Sequence, residues 1–485
     1  MTKTTIALCL LAVGAGATSA AAQGPDRSTP PDLGPPPKLI LPPIQEFRLG
    51  NGLRVMLMEK HQVPVVQVTV LISAGTANDP SDRIGLAAMV ADMMDEGAGD
   101  RDALELADAV SFLGARLSTS ADRHTMSASL YTAVAKLGEA LPLLADVVTR
   151  PTFPNTELER KRLSRLTALL QAHDEPRIVA SVLFARAIYG AHPYGHPTIG
   201  TEASVRAMSV DDLRGFHDMY VTASNATVIV VGDVSRDAIR AELERAFGMW
   251  KTGEAPTPTW PDMPPITRRH VLLVDKPGAA QSEIRIGRIG VVRLTDDYDA
   301  LQVMNTVLGG SFTSRLNQNL REDKGWTYGA RSSFAFDRLP GPFLASSAVQ
   351  TDVTDKALEE FFKEFDAIRM PVPRAELEGA KNYEALGFPS GFQSVRGVAA
   401  NLEEIAIYDL SRDFFNRYVD GIRAVTQNDV RRVARQYVQP DRFVVVVVGD
   451  REKIEAGIRA LKLGPVTIMS VEDVLGERPE IGSTN

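Results

Sequence analysis

Residues 150–159 read RPTFPNTELE, and residues 369–378 read RMPVPRAELE. The shared letters recur at one spacing. Arg150 and Arg369, Pro154 and Pro373, and the runs Glu157-Leu158-Glu159 and Glu376-Leu377-Glu378 all stand 219 residues apart. Thr132, just before a stretch rich in Ala and Leu, is answered by Thr351 at the same distance. Farther on, Asp212-Leu213 and the run 228–233 (VIVVGD) are answered by Asp429-Val430 and 444–450 (VVVVVGD), now 217 apart. A spacing that drifts so little over this length marks a duplicated chain.

Working outward, the repeat divides the chain into half one at 44–250 and half two at 268–470. A linker at 251–267 lies between them, and a tail at 471–485 follows. The linker reading rests on five prolines: Pro256, Pro258, Pro261, Pro264 and Pro265. Each half repeats one order of elements. A strand pair opens it (53–58 and 65–73; 271–275 and 282–287), then comes a helix (84–95; 297–308). A hairpin-like strand region follows (117–130; 327–349), then helices, and last an apolar strand. Alternating residues such as Ser127-Ala128-Ser129-Leu130-Tyr131 support the strands. Strands followed by helices on one face predict an α+β fold with two homologous halves, each an antiparallel-rich sheet covered by helices.

Composition bounds the function. With 44% apolar and 24% charged residues, the 485-residue chain has the make-up of a globular protein with ample core. Its net charge of -8, with no dense Lys/Arg run, argues against nucleic acid as a partner. Lys3, the apolar run 5–15 and Ala20-Ala21-Ala22 read as a secretory signal peptide over 1–22, cleaved near Ala22. Residues 23–43, rich in proline, read as an extended arm. The apolar run is too short to span a bilayer, and no later segment is long enough either, so the mature chain is expected to have no membrane span. Cys9, the one cysteine, lies within the signal segment, leaving the mature chain without thiol chemistry or disulfides.

Several further stretches carry a resemblance. In half one these are Asn51-Gly52-Leu53-Arg54-Val55, Gly85-Leu86-Ala87, His192-Pro193-Tyr194-Gly195 with Pro197 and Gly200, and Asn225-Ala226. In half two they are Gln281-Ser282 and the block from Ser314-Arg315-Leu316 through Arg321, Gly325 and Tyr328. In order and together they resemble the pitrilysin/insulinase-like zinc peptidases, the inverzincins, across nearly the whole mature chain. The resemblance implies a clamshell of two such halves. It also implies a His-x-x-Glu-His motif on the first helix, whose histidines bind zinc and whose glutamate activates water. A glutamate from a later helix is the third protein ligand, leaving one zinc position for water.

Here the motif falls just after Gly85-Leu86-Ala87, on Ala88, Met89, Val90, Ala91 and Asp92. The third ligand falls on Ala168 or Leu169. Only Asp92 offers a metal ligand, so no metal site and no catalytic residue is expected on this chain. His192 and His196 are four apart, but Pro193 and Gly195 between them keep them from sharing a helical face. His124, His173, His217 and His270 are scattered and read as surface or internally satisfied histidines.

Arg321 and Tyr328, by contrast, match the family's Arg/Tyr pair, which in active relatives donates hydrogen bonds to substrate carbonyls near the scissile bond. Without the resemblance, Arg321 would read as paired with Glu322 or Asp323, and Tyr328 as a half-buried strand aromatic. The expectation is therefore a subunit that binds no cofactor itself and is inactive alone. It would pair as a heterodimer with a zinc-bearing homologue and supply Arg321 and Tyr328 for peptide substrates in the periplasm. The alternative is a non-enzymatic peptide-binding or scaffold protein of the cell envelope.

Overall fold

The computed structural model describes residues 40–481. The signal segment at 1–22, most of the arm and the end of the tail lie outside the described residues. Half one carries β1 (Gln45–Arg48), β2 (Arg54–Glu59), β3 (Val65–Ile72), a small ladder of β4 (Gly97–Ala98) and β5 (Arg101–Asp102), β6 (Arg116–Ala121), β7 (Met126–Ala133) and β8 (Ala226–Gly232). Half two carries β9 (His270–Asp275), β10 (Gln281–Ile289), β11 (Thr327–Phe334), β12 (Pro342–Gln350), β13 (Val444–Gly449) and β14 (Val466–Met469).

Two six-stranded sheets result, ordered β1-β2-β8-β3-β7-β6 and β11-β12-β10-β13-β9-β14. The fold is α+β, and each sheet is covered by helices. The opening strands of each half, expected as a pair, are not neighbours. The apolar strand that follows each half's helices slips between them, parallel to the first (β2 with β8, β9 with β13) and antiparallel to the second. The residues explain the placement: Val444 to Gly449 are buried without exception, a pattern suited to the middle of a sheet. The duplication breaks at one edge. β1 comes from the start of half one, whereas β14, in the same place on the second sheet, comes from the end of half two.

One face of each sheet packs on its own half's helices. In half two, the helix Thr354–Ile368 buries Ala357, Leu358, Phe361, Phe362, Phe365 and Ile368 against that core. The other face is covered by a helix from the opposite half. The helix Pro176–Tyr189 of half one lies across β10 and β13, with Val179, Ala180, Leu183 and Phe184 in one apolar cluster with Val444, Val446 and Val448. Reciprocally, the helix Val395–Tyr408 of half two lies across β3 and β8. These two helices start and end 219 residues apart, so the exchange is part of the repeat. Among the described residues, no helix is long and apolar enough to cross a membrane.

Candidate functional site

The first helix of half one, Leu86–Met94, begins at Gly85, whose φ of 89° suits glycine. Apart from Asp92 its own side chains are apolar, and seven of them are buried. Lacking a capping side chain of its own, it borrows Asp79, whose carboxylate accepts the Gly85 and Ala87 N–H groups at 2.7 and 2.8 Å. Burial pushes the Asp79 carboxyl up to about 7, against those bonds and the nearby Arg165 charge.

Ala88 and Ala91 present methyl groups where the resemblance places a histidine and the glutamate. Asp92 is bound to Arg165 of the helix Asn155–Ala172, at 2.6 Å. The same guanidinium donates to the Gly85 and Ile199 carbonyls at 3.0 and 3.3 Å. Gly85 and Gly200 meet beneath it: a Cβ on Gly85 would stand 2.7 Å from the Gly200 nitrogen. Two glycines matched singly in the sequence thus form one backbone contact, locked by an arginine whose role the sequence did not reveal.

Ala168 and Leu169, at the third-ligand position, line a mostly apolar cavity of 340 Å³ together with His196, Ile199 and Leu475. Its rim includes the helix Val471–Leu475 at the start of the tail, tied down where Arg186 donates to the Asp473 and Val474 carbonyls.

The histidines are scattered as expected. His192 and His196 flank the short turn Pro193–Gly195, and His192 Nδ1 accepts the Tyr194 N–H at 3.1 Å. His124 bonds the Tyr194 hydroxyl, and burial pushes it down to about 4. His173 bridges the Leu169 and Gly476 carbonyls, and His217 bonds the Val148 carbonyl. Among the described residues, no three His, Cys, Asp or Glu side chains gather as a metal cluster.

In half two, Arg321 and Tyr328 flank a tight turn. Arg321 lies in the wide helical turn Gln318–Asp323. That turn closes through Gly325, at φ +66°, whose N–H reaches the Arg321 carbonyl, while the Trp326 N–H reaches that of Leu320. The Arg321 guanidinium sits 4.6 Å from the Phe312 ring centre, and its Nε lies 3.3 Å from Glu322.

Tyr328 follows on β11, where the register with β12 slips between Thr327 and Ala330. The Gly329 N–H folds back on the Thr327 hydroxyl at 3.0 Å, and Ser347 donates to the same hydroxyl at 2.9 Å. This bulge turns the phenol outward, and Tyr328 is 90% exposed rather than half-buried. The Glu322 pairing is present, yet it leaves the face of the guanidinium on an aromatic ring. Both residues are hydrogen-bond donors beside the strand start.

Sequence models of two parts of one peptidase family match consecutive stretches of the chain. The insulinase family, peptidase family M16, matches residues 54–202, and the peptidase M16 inactive domain matches residues 207–384. The chain belongs to peptidase family M16. An uncharacterized zinc protease of Bacillus subtilis is 27% identical over 412 residues, covering 83% of this chain and 98% of that protein. A Helicobacter pylori protein described as a non-peptidase homolog is 20% identical over 405 residues, covering 82% of this chain and 92% of the relative. The crystal structure of a peptidase M16 inactive domain from Pseudomonas fluorescens superposes with a TM-score of 0.79 at 25% identity, covering 84% of this chain and 98% of that one.

Zinc, which the M16 family implies, does not fit the residues present. The three ligand positions offer the Ala88 methyl, Ala168 or Leu169, and one carboxylate already held by a guanidinium, and the general-base position offers the Ala91 methyl. A fixed positive charge 2.6 Å from the one carboxylate opposes a divalent cation there.

Proposed function

We propose that this M16 chain is the non-catalytic subunit of a heterodimeric zinc metallopeptidase of the periplasm. The partner, a homologue carrying His-x-x-Glu-His, supplies the zinc, its ligands and the general base. This chain supplies Arg321, Tyr328 and half of the chamber that holds the peptide. The observation that carries the reading is the outward turn of Tyr328 on its bulge, beside an arginine held at the other end of the same tight turn. A large exposed aromatic gains nothing for folding, but a phenol and a guanidinium aimed outward are suited to donate to peptide carbonyls and to a developing oxyanion. The secretory signal read in the first residues supports the periplasmic location.

The test is to purify the chain alone and with its zinc-bearing homologue, then follow cleavage of a quenched peptide. Chelator-sensitive turnover by the mixture and none by this chain alone is the expected result; substantial turnover by this chain alone overturns the reading. The non-peptidase description of the Helicobacter relative favours a second reading, a peptide-binding or scaffold protein of the cell envelope. That reading predicts no gain in the partner's turnover on mixing.

A further inference from the structure

The exchanged helix Pro176–Tyr189 covers only part of the second sheet. Over β13 the face is apolar, with Val444, Val446 and Val448 under the helix. Beyond the helix the same face becomes charged. Arg331 of β11, Ser346 of β12, Arg285 of β10 and Val446 of β13 stand side by side in one row across the strands. Glu283, two residues from Arg285 and on the same face, pairs with it at 2.6 Å. Arg177, from the first turn of the covering helix, overhangs the row. Arg177, Glu283, Arg285 and Arg331, together with Gln281 and Tyr328, line a 310 Å³ pocket.

Three arginines therefore meet one carboxylate. Among the described residues, neither Arg177 nor Arg331 has an acidic partner, and both are exposed. Arg285 is buried; desolvation lowers its pKa, Glu283 offsets part of that, and Arg177 and Arg331 lower it further. An excess of positive charge is held here in a chain whose net charge is -8.

The duplication supplies an internal control. In half one the equivalent row is Ser118, Ser129, Thr69 and Ile229, and the residue equivalent to Glu283 is Gln67. Thr69 and Ser129 bond one another at 3.0 Å, and Glu403 of the covering helix Val395–Tyr408 bonds Thr69, so this row holds no arginine and the one ionisable group that reaches it is a carboxylate. Arg396, the counterpart of Arg177 at the 219 spacing, lies 5.0 Å from the Tyr131 ring centre. The fold thus needs no arginines in this row, and half two carries them beside Tyr328.

We infer that the Arg177–Arg285–Arg331 pocket is an anion subsite that selects peptides carrying an acidic side chain. Guanidinium forks match carboxylates in shape and charge, and the exposed pair can close on a ligand while Arg285 and Glu283 hold the floor. Its position next to Tyr328 makes it a specificity element of the same chamber, and in that respect it rests on the peptide-binding reading above.

Binding to the full chain alone, without any zinc partner, tests it by fluorescence anisotropy. The probes are a fluorescein-labelled peptide with a central Asp-Glu pair and its Asn-Gln counterpart. The acidic peptide is expected to bind roughly tenfold tighter, with the advantage shrinking as salt rises. The double variant Arg177→Gln/Arg331→Gln is expected to lose the preference at unchanged melting temperature, and Arg331→Glu to weaken the acidic peptide further.

Equal binding of the two peptides overturns the inference, as does a preference that survives the double variant. Competition by inorganic phosphate as strong as by unlabelled acidic peptide overturns the peptide assignment in favour of a small-anion site. Because no turnover is measured, failure of the heterodimer reading would leave these results standing, and their failure would leave the heterodimer untouched.

Discussion

Arg165 carries three acceptors on one guanidinium: the Asp92 carboxylate and the carbonyls of Gly85 and Ile199. Its side chain is 8% exposed whereas that of Asp92 is 45% exposed, which sets how much each contributes. Removing the arginine leaves two carbonyls and a carboxylate without their donor; removing the aspartate leaves a cation still served by two carbonyls. Arg165→Met is therefore expected to cost about 2 kcal/mol and Asp92→Asn less than about 1 kcal/mol, measured by urea unfolding. Similar costs for the two would contradict the asymmetry.

Much of the residue scale was legible. The replaced ligand positions and the Arg/Tyr spacing are visible in the linear sequence because the motif residues are close in the chain. Arg165 was not, since its partners lie 73, 80 and 34 residues away and nothing in its own helix announces them. The basic pocket escaped for the same reason: its arginines sit on two strands and a helix, each looking like an ordinary polar position.

Among the elements, the helix Pro176–Tyr189 holds the halves together. Leu183, fully packed against the β13 valines, links a half-one helix to a half-two sheet. Leu183→Ala is expected to cost about 2–4 kcal/mol and to speed amide exchange in β13, although the substitution lies in the other half. Unchanged exchange in β13 would contradict the cross-cover. The sequence hinted at this helix without placing it. Val179, Val182, Leu183, Phe184 and Ile188 form no single apolar stripe, as expected of a helix enclosed on several sides. The order of strands was less legible. Adjacent strands in the chain read as a pair, and only the unbroken burial of 444–449 shows which strand belongs in the middle.

At the scale of the whole molecule, the seam between halves is sensitive to acid. His124 lies there with Tyr194 and Trp260, near the charges of Asp122, Arg123, Arg338 and His192. Burial pushes it down to about 4 from an ordinary 6.5, and His192, His196 and His217 are lowered in the same direction, also by burial. The unfolded chain then binds protons that the folded chain refuses. The His124 contribution is full above pH 6.5 and falls as pH drops toward 4, while the raised carboxyl of Asp79 contributes in the opposite direction over that range. His124→Gln is expected to flatten part of that fall in melting temperature between pH 7 and 5, at some cost in stability at neutral pH. A parallel fall in both proteins would remove His124 from the account.

The central claim is that this chain lends substrate-side donors to a zinc site it does not itself form. The most direct measurement is turnover of a quenched peptide by the reconstituted pair, with zinc content determined on the same samples. For Arg321→Ala and Tyr328→Phe in this chain, the account predicts turnover reduced by roughly tenfold or more with zinc content unchanged. Full turnover in both variants would contradict it.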